Sequence, residues 1–283
     1  MLNNSNDNSM AQIIENYAKA RDANYPQGLQ YIDVIRQISS TRIRTAVLGL
    51  YAWLHFIDDI VDSNIDTQSK LYQLDEAVRI LTKIHDSKGA LDPELATRGD
   101  FVFWNALAEA WSIIPFPHSH EYLTYLEIMK EIACRPYSIP FFQNNEELER
   151  FNLRFFGSIV GIMAPAIFLD IVKSSQFSRY EFCKHAFIRF MLGMQMINLA
   201  MDIDEDNSVG QNWIPASLHY NEKLDHTNIK AVESLYEKGI EYMDESICLR
   251  NQNVVGHDAA QFFTGLNKIF IDLGQHLLFQ SQT

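Results

Sequence analysis

The segment from Phe56 to Ser63 reads FIDDIVDS, and a second acidic cluster, MDIDEDNS, begins at Met201. Each cluster closes an otherwise apolar run, YAWLHFIDDIVD in one case and LGMQMINLAMDID in the other. With about 100° of rotation per residue, Asp58 and Asp62 fall one turn apart on a single helix face. His55, Tyr51 and Arg44 continue that stripe toward the N-terminus. Asp202 and Asp206 repeat the i, i+4 spacing, and Asn198 and Gln195 extend their stripe backward. Two such helices facing each other would aim four carboxylates at one space. Hard oxygen ligands with room left for waters and phosphate oxygens suit Mg²⁺. A metal held there can grip a diphosphate and stabilise it as it leaves carbon. One aspartate pair on a helix is usually a solvated surface, and it is the second pair, in a second apolar run, that points to chemistry. Asp59, Asp204 and Glu205 point off the stripes and read as structural.

The elements that must carry these stripes are helical. Among 283 residues, 47% hydrophobic, only 12 Gly and 8 Pro interrupt long segments, which suits helices better than the frequent turns of a sandwich or barrel. The reading is an all-α chain forming one domain over residues 1–283, with residues 1–9 a disordered lead-in. Helices are expected over Met10–Arg21, Gly28–Ser39, Thr41–Ser63, Lys70–His85, Asp92–Ile113 and His120–Ala133. Further helices are expected over Glu146–Val172, with a kink at Pro165, and over Arg179–Asp206, Ile229–Arg250 and His257–Phe279.

Charge and composition narrow the function. A net charge of −13 repels a nucleic-acid backbone, so no nucleic-acid partner is expected. Cys134, Cys183 and Cys248 are dispersed, with no CxxC pair, which fits a reduced, cytoplasmic setting. The opening MLNNSNDNSMAQ has neither the basic nor the apolar part of a secretory signal. The uncharged run Phe155–Leu169 is shorter than the ~20 residues of a membrane span and reads as a buried helix. Peripheral contact with a membrane would suit an apolar product. Gly157 and Gly161, one turn apart in that run, read as sites of close helix packing, with ligand approach as the alternative. The methionines of FMLGMQMINLAM read as core, or as lining for a flexible hydrocarbon.

These motifs resemble the squalene and phytoene synthase family. That family has a Tyr-containing helix ending in Arg-x-x-Asp-Asp/Glu-x-x-Asp, in whose place stands YAWLHFIDDIVD. Its second motif, Gly-x-x-Gln-x-x-Asn-x-x-Arg-Asp-x-x-x-Asp followed by Gly-Arg and an aromatic-x-Pro, is matched by LGMQMINLAMDIDEDNSVGQNWIP. Gly193, Gln195, Asn198, Asp202, Asp206, Gly210 and Pro215 are kept, with one residue fewer before Gln195. ELERFNLRFFGSIVGIM resembles the family helix with the Val-Ala-Gly-x-Val-Gly segment. The resemblance runs from about Tyr31 to Pro215. It implies an all-α isoprenoid synthase fold with a central active-site cavity between helices. By the same resemblance Asp58, Asp62, Asp202 and Asp206 would hold two or three Mg²⁺ ions that bind a prenyl diphosphate. Gln195 and Asn198 would line the reaction centre, with Tyr51 near the diphosphate and Arg44 and His55 as further substrate contacts. The chain departs from the pattern at cations: His55 and Met201 stand where the family has Arg, and Gly210-Gln211 replaces Gly-Arg.

The leading expectation is therefore a Mg²⁺-dependent synthase that ionises a prenyl diphosphate of fifteen or twenty carbons and joins two chains head to head. The alternative is a terpene cyclase acting on one prenyl diphosphate, which the lost arginines favour. A noncatalytic helical scaffold is the third reading, opposed by the cost of keeping unpaired acids on two inward stripes. No GxGxxG fingerprint is present, so a reductive step with NADPH is not read from the sequence.

Overall fold

The computed structural model describes residues 26–114, 119–135, 141–203, 213–218 and 229–281. The expected lead-in at residues 1–9, the helix Met10–Arg21, and Asp204, Glu205, Asp206, Gly210 and Gln211 lie outside them. Every regular element among the described residues is helical, in the order α1 (Pro26–Arg36), α2 (Thr41–Asp62), α3 (Thr67–Asp86), α4 (Phe101–Ile113), α5 (Ser119–Ala133) and α6 (Asn145–Ile167). The short α7 (Leu169–Lys173) precedes the long α8 (Phe177–Met201), followed by α9 (Ile229–Glu245), the one-turn α10 (Gln252–Val255) and α11 (His257–Ser281).

Local side-chain chemistry sets many of the helix starts. Ser40 Oγ accepts from the Ile43 N–H at 3.3 Å to open α2, and Asp66 accepts from the Ser69 N–H at 3.0 Å to open α3. Asn144 accepts from the Glu147 N–H at 3.0 Å, while the Glu147 carboxylate reaches back to the Gln143 N–H at 2.9 Å, a reciprocal cap on α6.

Several boundaries differ from the sequence expectation. The helix expected over Asp92–Ile113 is a 3₁₀ turn, Pro93–Thr97, followed by α4, because Asp100 spends its carboxylate on Arg98 and the Trp104 indole N–H in the intervening turn. The long apolar helix breaks at Phe168, three residues past Pro165, and resumes as α7. Ile229–Arg250 is α9 followed by a 3₁₀ turn at Ile247–Arg250. Most consequential, α8 ends at Met201, and Asp202 (φ −92°, ψ 4°) is its C-cap. The expected unbroken helix through Asp206 is corrected: Asp202 stands where the helix ends.

The apolar residues of α2, α4, α5, α6, α8 and α11 share one continuous core. Trp53, at 0% exposure, packs against Trp104 of α4 and Tyr122 and Tyr125 of α5 at ring-centroid distances of 6.3, 5.5 and 6.0 Å. A second cluster joins Leu148 and Phe156 of α6 to Leu192, Met196, Leu199 and Ile203 and to Val232, Leu235 and Tyr242 of α9. The uncharged run Phe155–Leu169 is a buried helix as expected, and no helix among the described residues is long and apolar enough to cross a membrane.

Candidate active site

Glycines turn both aspartate-bearing helices the same way. On α2 a β-carbon at Gly49 would lie 2.6 Å from the Ala106 carbonyl oxygen, so this face docks on α4. On α8 a β-carbon at Gly193 would lie 2.6 Å from Met243 Cγ, so this face docks on α9. At about 100° per residue, Tyr51, His55, Asp58 and Asp62 fall on the side of α2 away from α4, and Gln195 and Asn198 on the side of α8 away from α9. Each helix thus gives its apolar back to an outer partner and turns its polar stripe from it.

Helix α6 brings the two stripes to one end of the bundle. Its residues Leu148 and Phe156 pack with the Leu192–Ile203 part of α8. Phe155 stacks on Tyr125 at 5.8 Å, and the Tyr125 hydroxyl donates to the Leu54 carbonyl at 3.1 Å. The C-terminal halves of α2 and α8 therefore both flank the N-terminal half of α6, and Asp58, Asp62 and Asp202 lie at the same end. Tyr51, Leu54, Phe155, Ile159, Ile188 and Met191 pack against the core clusters yet stay half-buried, so apolar and aromatic surface on α2, α6 and α8 remains accessible.

Exposure is graded along the stripes. Asp62 and Asp202 are exposed, whereas Asp58, His55, Tyr51, Gln195 and Asn198 are half-buried. The Tyr51 and His55 rings meet edge to face, with centroids 4.2 Å apart. Arg44 sits elsewhere: its guanidinium donates to the Ile38 carbonyl at 2.9 Å and to Thr41 Oγ1 at 3.3 Å, closing the turn before α2. Fourteen residues of helix separate it from Asp58, a rise of about 21 Å, so the structure does not bring Arg44 to the carboxylates. Among the described residues no group of three or more His, Cys, Asp or Glu side chains forms a ready-made metal cage.

Gly161 serves close helix packing, the first of the two roles considered for it. The Glu121 side chain of α5 fills its place, with Cδ 2.5 Å from where a β-carbon would stand, and Glu121 pairs with Lys184 of α8 at 3.2 Å. The glycine makes room for an ion pair that ties three helices. A β-carbon at Gly157 would meet nothing within 4 Å.

Three features of this region were not singled out in the sequence. Lys70, 4% exposed, donates from Nζ to the Val61 carbonyl at 2.5 Å, placing a buried cation on the last turn of α2. Arg135 lies 3.9 Å over the Phe141 ring, which stacks on Trp213 at 4.1 Å, and shares Glu131 with Arg154. Asn152 of α6 is 2% exposed, and its Nδ2 has no hydrogen-bond partner among the described residues. A lone lysine or asparagine carries little periodic signal, whereas the Arg-Pro-aromatic composition of RPYSIPFF is a signal for the second.

Helices enclosing an apolar interior, with carboxylates at one end of two of them, define the all-α isoprenoid synthase fold. The family model for squalene/phytoene synthase matches residues 34–246, and the chain belongs to that family. The fold is similar to a dehydrosqualene synthase solved in complex with ligand (TM-score 0.70, 16% identity, covering 96% of this chain and 87% of that one). It is also similar to squalene synthase HpnC from Alicyclobacillus acidocaldarius (TM-score 0.67, 12% identity, 96% and 95% covered). YisP from Bacillus subtilis subsp. subtilis strain 168 matches at TM-score 0.55 and 12% identity, with 96% and 92% covered. No curated protein matches the sequence significantly.

Proposed function

We propose that this protein is a Mg²⁺-dependent isoprenoid synthase that ionises a prenyl diphosphate of fifteen or twenty carbons and joins two such chains head to head. The observation that supports the reading is that Asp58 and Asp62 stand on the last turns of α2 and Asp202 caps the end of α8, two helices that both pack on α6. The donor set fits the metal: carboxylate oxygens, with Asp62 and Asp202 exposed and Asp58 half-buried, suit Mg²⁺, which keeps room for waters and substrate phosphates. When bound, the ion supplies charge that stabilises the departing diphosphate. Asp58 and Asp62 would hold it from α2 and Asp202 from the end of α8, with Asp206 as the fourth carboxylate of the motif.

The remaining work belongs to the chain's own side chains. Gln195 and Asn198, half-buried beneath Asp202, offer neutral polar groups that orient substrate without quenching a cation. Tyr51, Phe155, Ile159 and Met191 surround the interior with apolar and aromatic surface, which excludes water and presents ring faces to positive charge. The three free cysteines accord with a cytoplasmic setting.

Cyclisation of a single prenyl diphosphate is the second reading, and a specific observation favours it. His55 and Met201 occupy positions where the family carries arginine, and Arg135 and Arg154 at this end already share Glu131. Less cationic charge is left for a second diphosphate.

The test is incubation of the purified protein with Mg²⁺ and farnesyl or geranylgeranyl diphosphate, with released pyrophosphate assayed and hydrocarbons identified by mass spectrometry. A product of doubled carbon number is expected. An unchanged carbon number would establish cyclisation, and absence of metal-dependent turnover with both substrates would favour the noncatalytic scaffold.

A further inference from the structure

We infer that Asn152 is a substrate-holding residue whose side-chain amide donates a hydrogen bond to an oxygen of the bound diphosphate; this rests on the diphosphate reading above. Asn152 is 2% exposed, yet among the described residues its Nδ2 has no hydrogen-bond partner. Buried donors in folded proteins are nearly always paired, because an unpaired one carries its full desolvation penalty. Such a group is retained against stability where an acceptor arrives with a ligand.

The position of Asn152 says which ligand atom that is. It lies one turn from Leu148 and one turn from Phe156, and both pack against the Leu192–Ile203 segment that carries Gln195, Asn198 and Asp202. Asn152 is therefore level with the diphosphate end of the site. Phe155 and Ile159, next along the same row of α6, are half-buried and belong to both core clusters, so the row opens toward the interior just beyond Asn152. Rotation about χ2, a broad torsion in asparagine, turns the amide toward that opening.

The chemistry of the free group agrees with the position. An N–H donor presents positive charge and would oppose an allylic carbocation, whereas it suits an anionic oxygen. A neutral donor here also supplies part of what Met201 does not, one turn of polar contact in a site short of cations.

The experiment compares wild type with Asn152→Leu, which keeps the branching of the side chain without its polar atoms, and Asn152→Asp, which replaces the donor by an acceptor. Thermal unfolding is measured without ligand, and calorimetry measures binding of Mg²⁺ with inorganic pyrophosphate and of farnesyl thiodiphosphate with Mg²⁺. Asn152→Leu is expected to raise the Tm of the free protein by a few degrees while weakening both ligands about tenfold. Asn152→Asp is expected to weaken them further. Binding within about twofold of wild type in both variants would overturn the role of Asn152 and leave the diphosphate site standing. A lower Tm for Asn152→Leu with unchanged affinity would make the amide structural. Failure of the wild type to bind either probe would overturn the diphosphate reading itself.

Discussion

Gly193 on α8 and Gly239 on α9 approach so closely that a β-carbon at Gly193 would stand 2.7 Å from the Gly239 carbonyl oxygen. The opposite side of α8 at this level carries Gln195 and Asn198, so the contact sets how far the polar stripe reaches into the interior. Gly193→Ala must push α8 from α9. It is expected to cost about 1–3 kcal/mol, as overpacking does, visible as a lower Tm, and to reduce diphosphate release beyond the fraction unfolded.

Replacing Asp58 or Asp202 by Asn should reduce metal-dependent diphosphate release on the order of 10²-fold or more, the scale seen when one transition-state charge contact is lost. Neither change should unfold the protein, since Asp202 is exposed and Asp58 half-buried. Circular dichroism with a pyrophosphate assay checks both halves. Full activity in both variants would defeat the metal-site reading.

Lys70 anchors the last turn of α2 from outside that helix. Lys70→Met keeps the buried stem but loses the ammonium bond to the Val61 carbonyl, beside Asp62. A hydrogen bond to a charged group is worth about 1.5–3 kcal/mol, so a stability loss of that order, seen as a lower Tm, is expected. Because Asp62 sits on the freed turn, the Mg²⁺ concentration for half-maximal activity should also rise, which a metal titration would reveal.

Asp258 accepts from the Ser39 and Ser40 backbone N–H groups at 2.9 and 3.0 Å, joining the start of α11 to the turn between α1 and α2. Burial pushes its carboxyl up, but these hydrogen bonds outweigh burial and hold it below the ordinary 3.8. A lowered folded-state value means the contribution to stability is complete above 3.8 and is lost as pH falls through the folded value beneath it. Asp258→Asn should remove that component, so its acid-unfolding curve should be flatter than that of wild type below pH 4, as followed by circular dichroism.

Burial raises the Cys183 thiol to about 11, with Cys248 adding to the shift and Arg179 opposing it. Cys134 is exposed. The thiolate is the reactive form, so iodoacetamide at neutral pH should label Cys134 and spare Cys183 in the folded protein, as read by peptide mass spectrometry. Rapid labelling of Cys183 would show that the α8–α10 contact opens.

The helical class, the core character of Phe155–Leu169 and the start of α2 at Thr41 were legible in the sequence, because each depends on local composition, period or capping. So were the two acidic stripes, as faces of helices. The end of α8 was not. Periodicity continues through MDID, but the backbone leaves the helix at Asp202, which holds its place as a cap.

What the sequence determined by itself is which residue types recur at helical spacing, since that information is written within a few turns. Tertiary structure decided what those residues meet. It set Arg44 on the Ile38 carbonyl, about 21 Å of helix from Asp58. It spent Gly161 on the Glu121–Lys184 pair, put Lys70 under the end of α2, and left Asn152 Nδ2 without a partner among the described residues. Each of these is a contact between segments far apart in the chain, and its energy depends on distances and burial that no local pattern encodes.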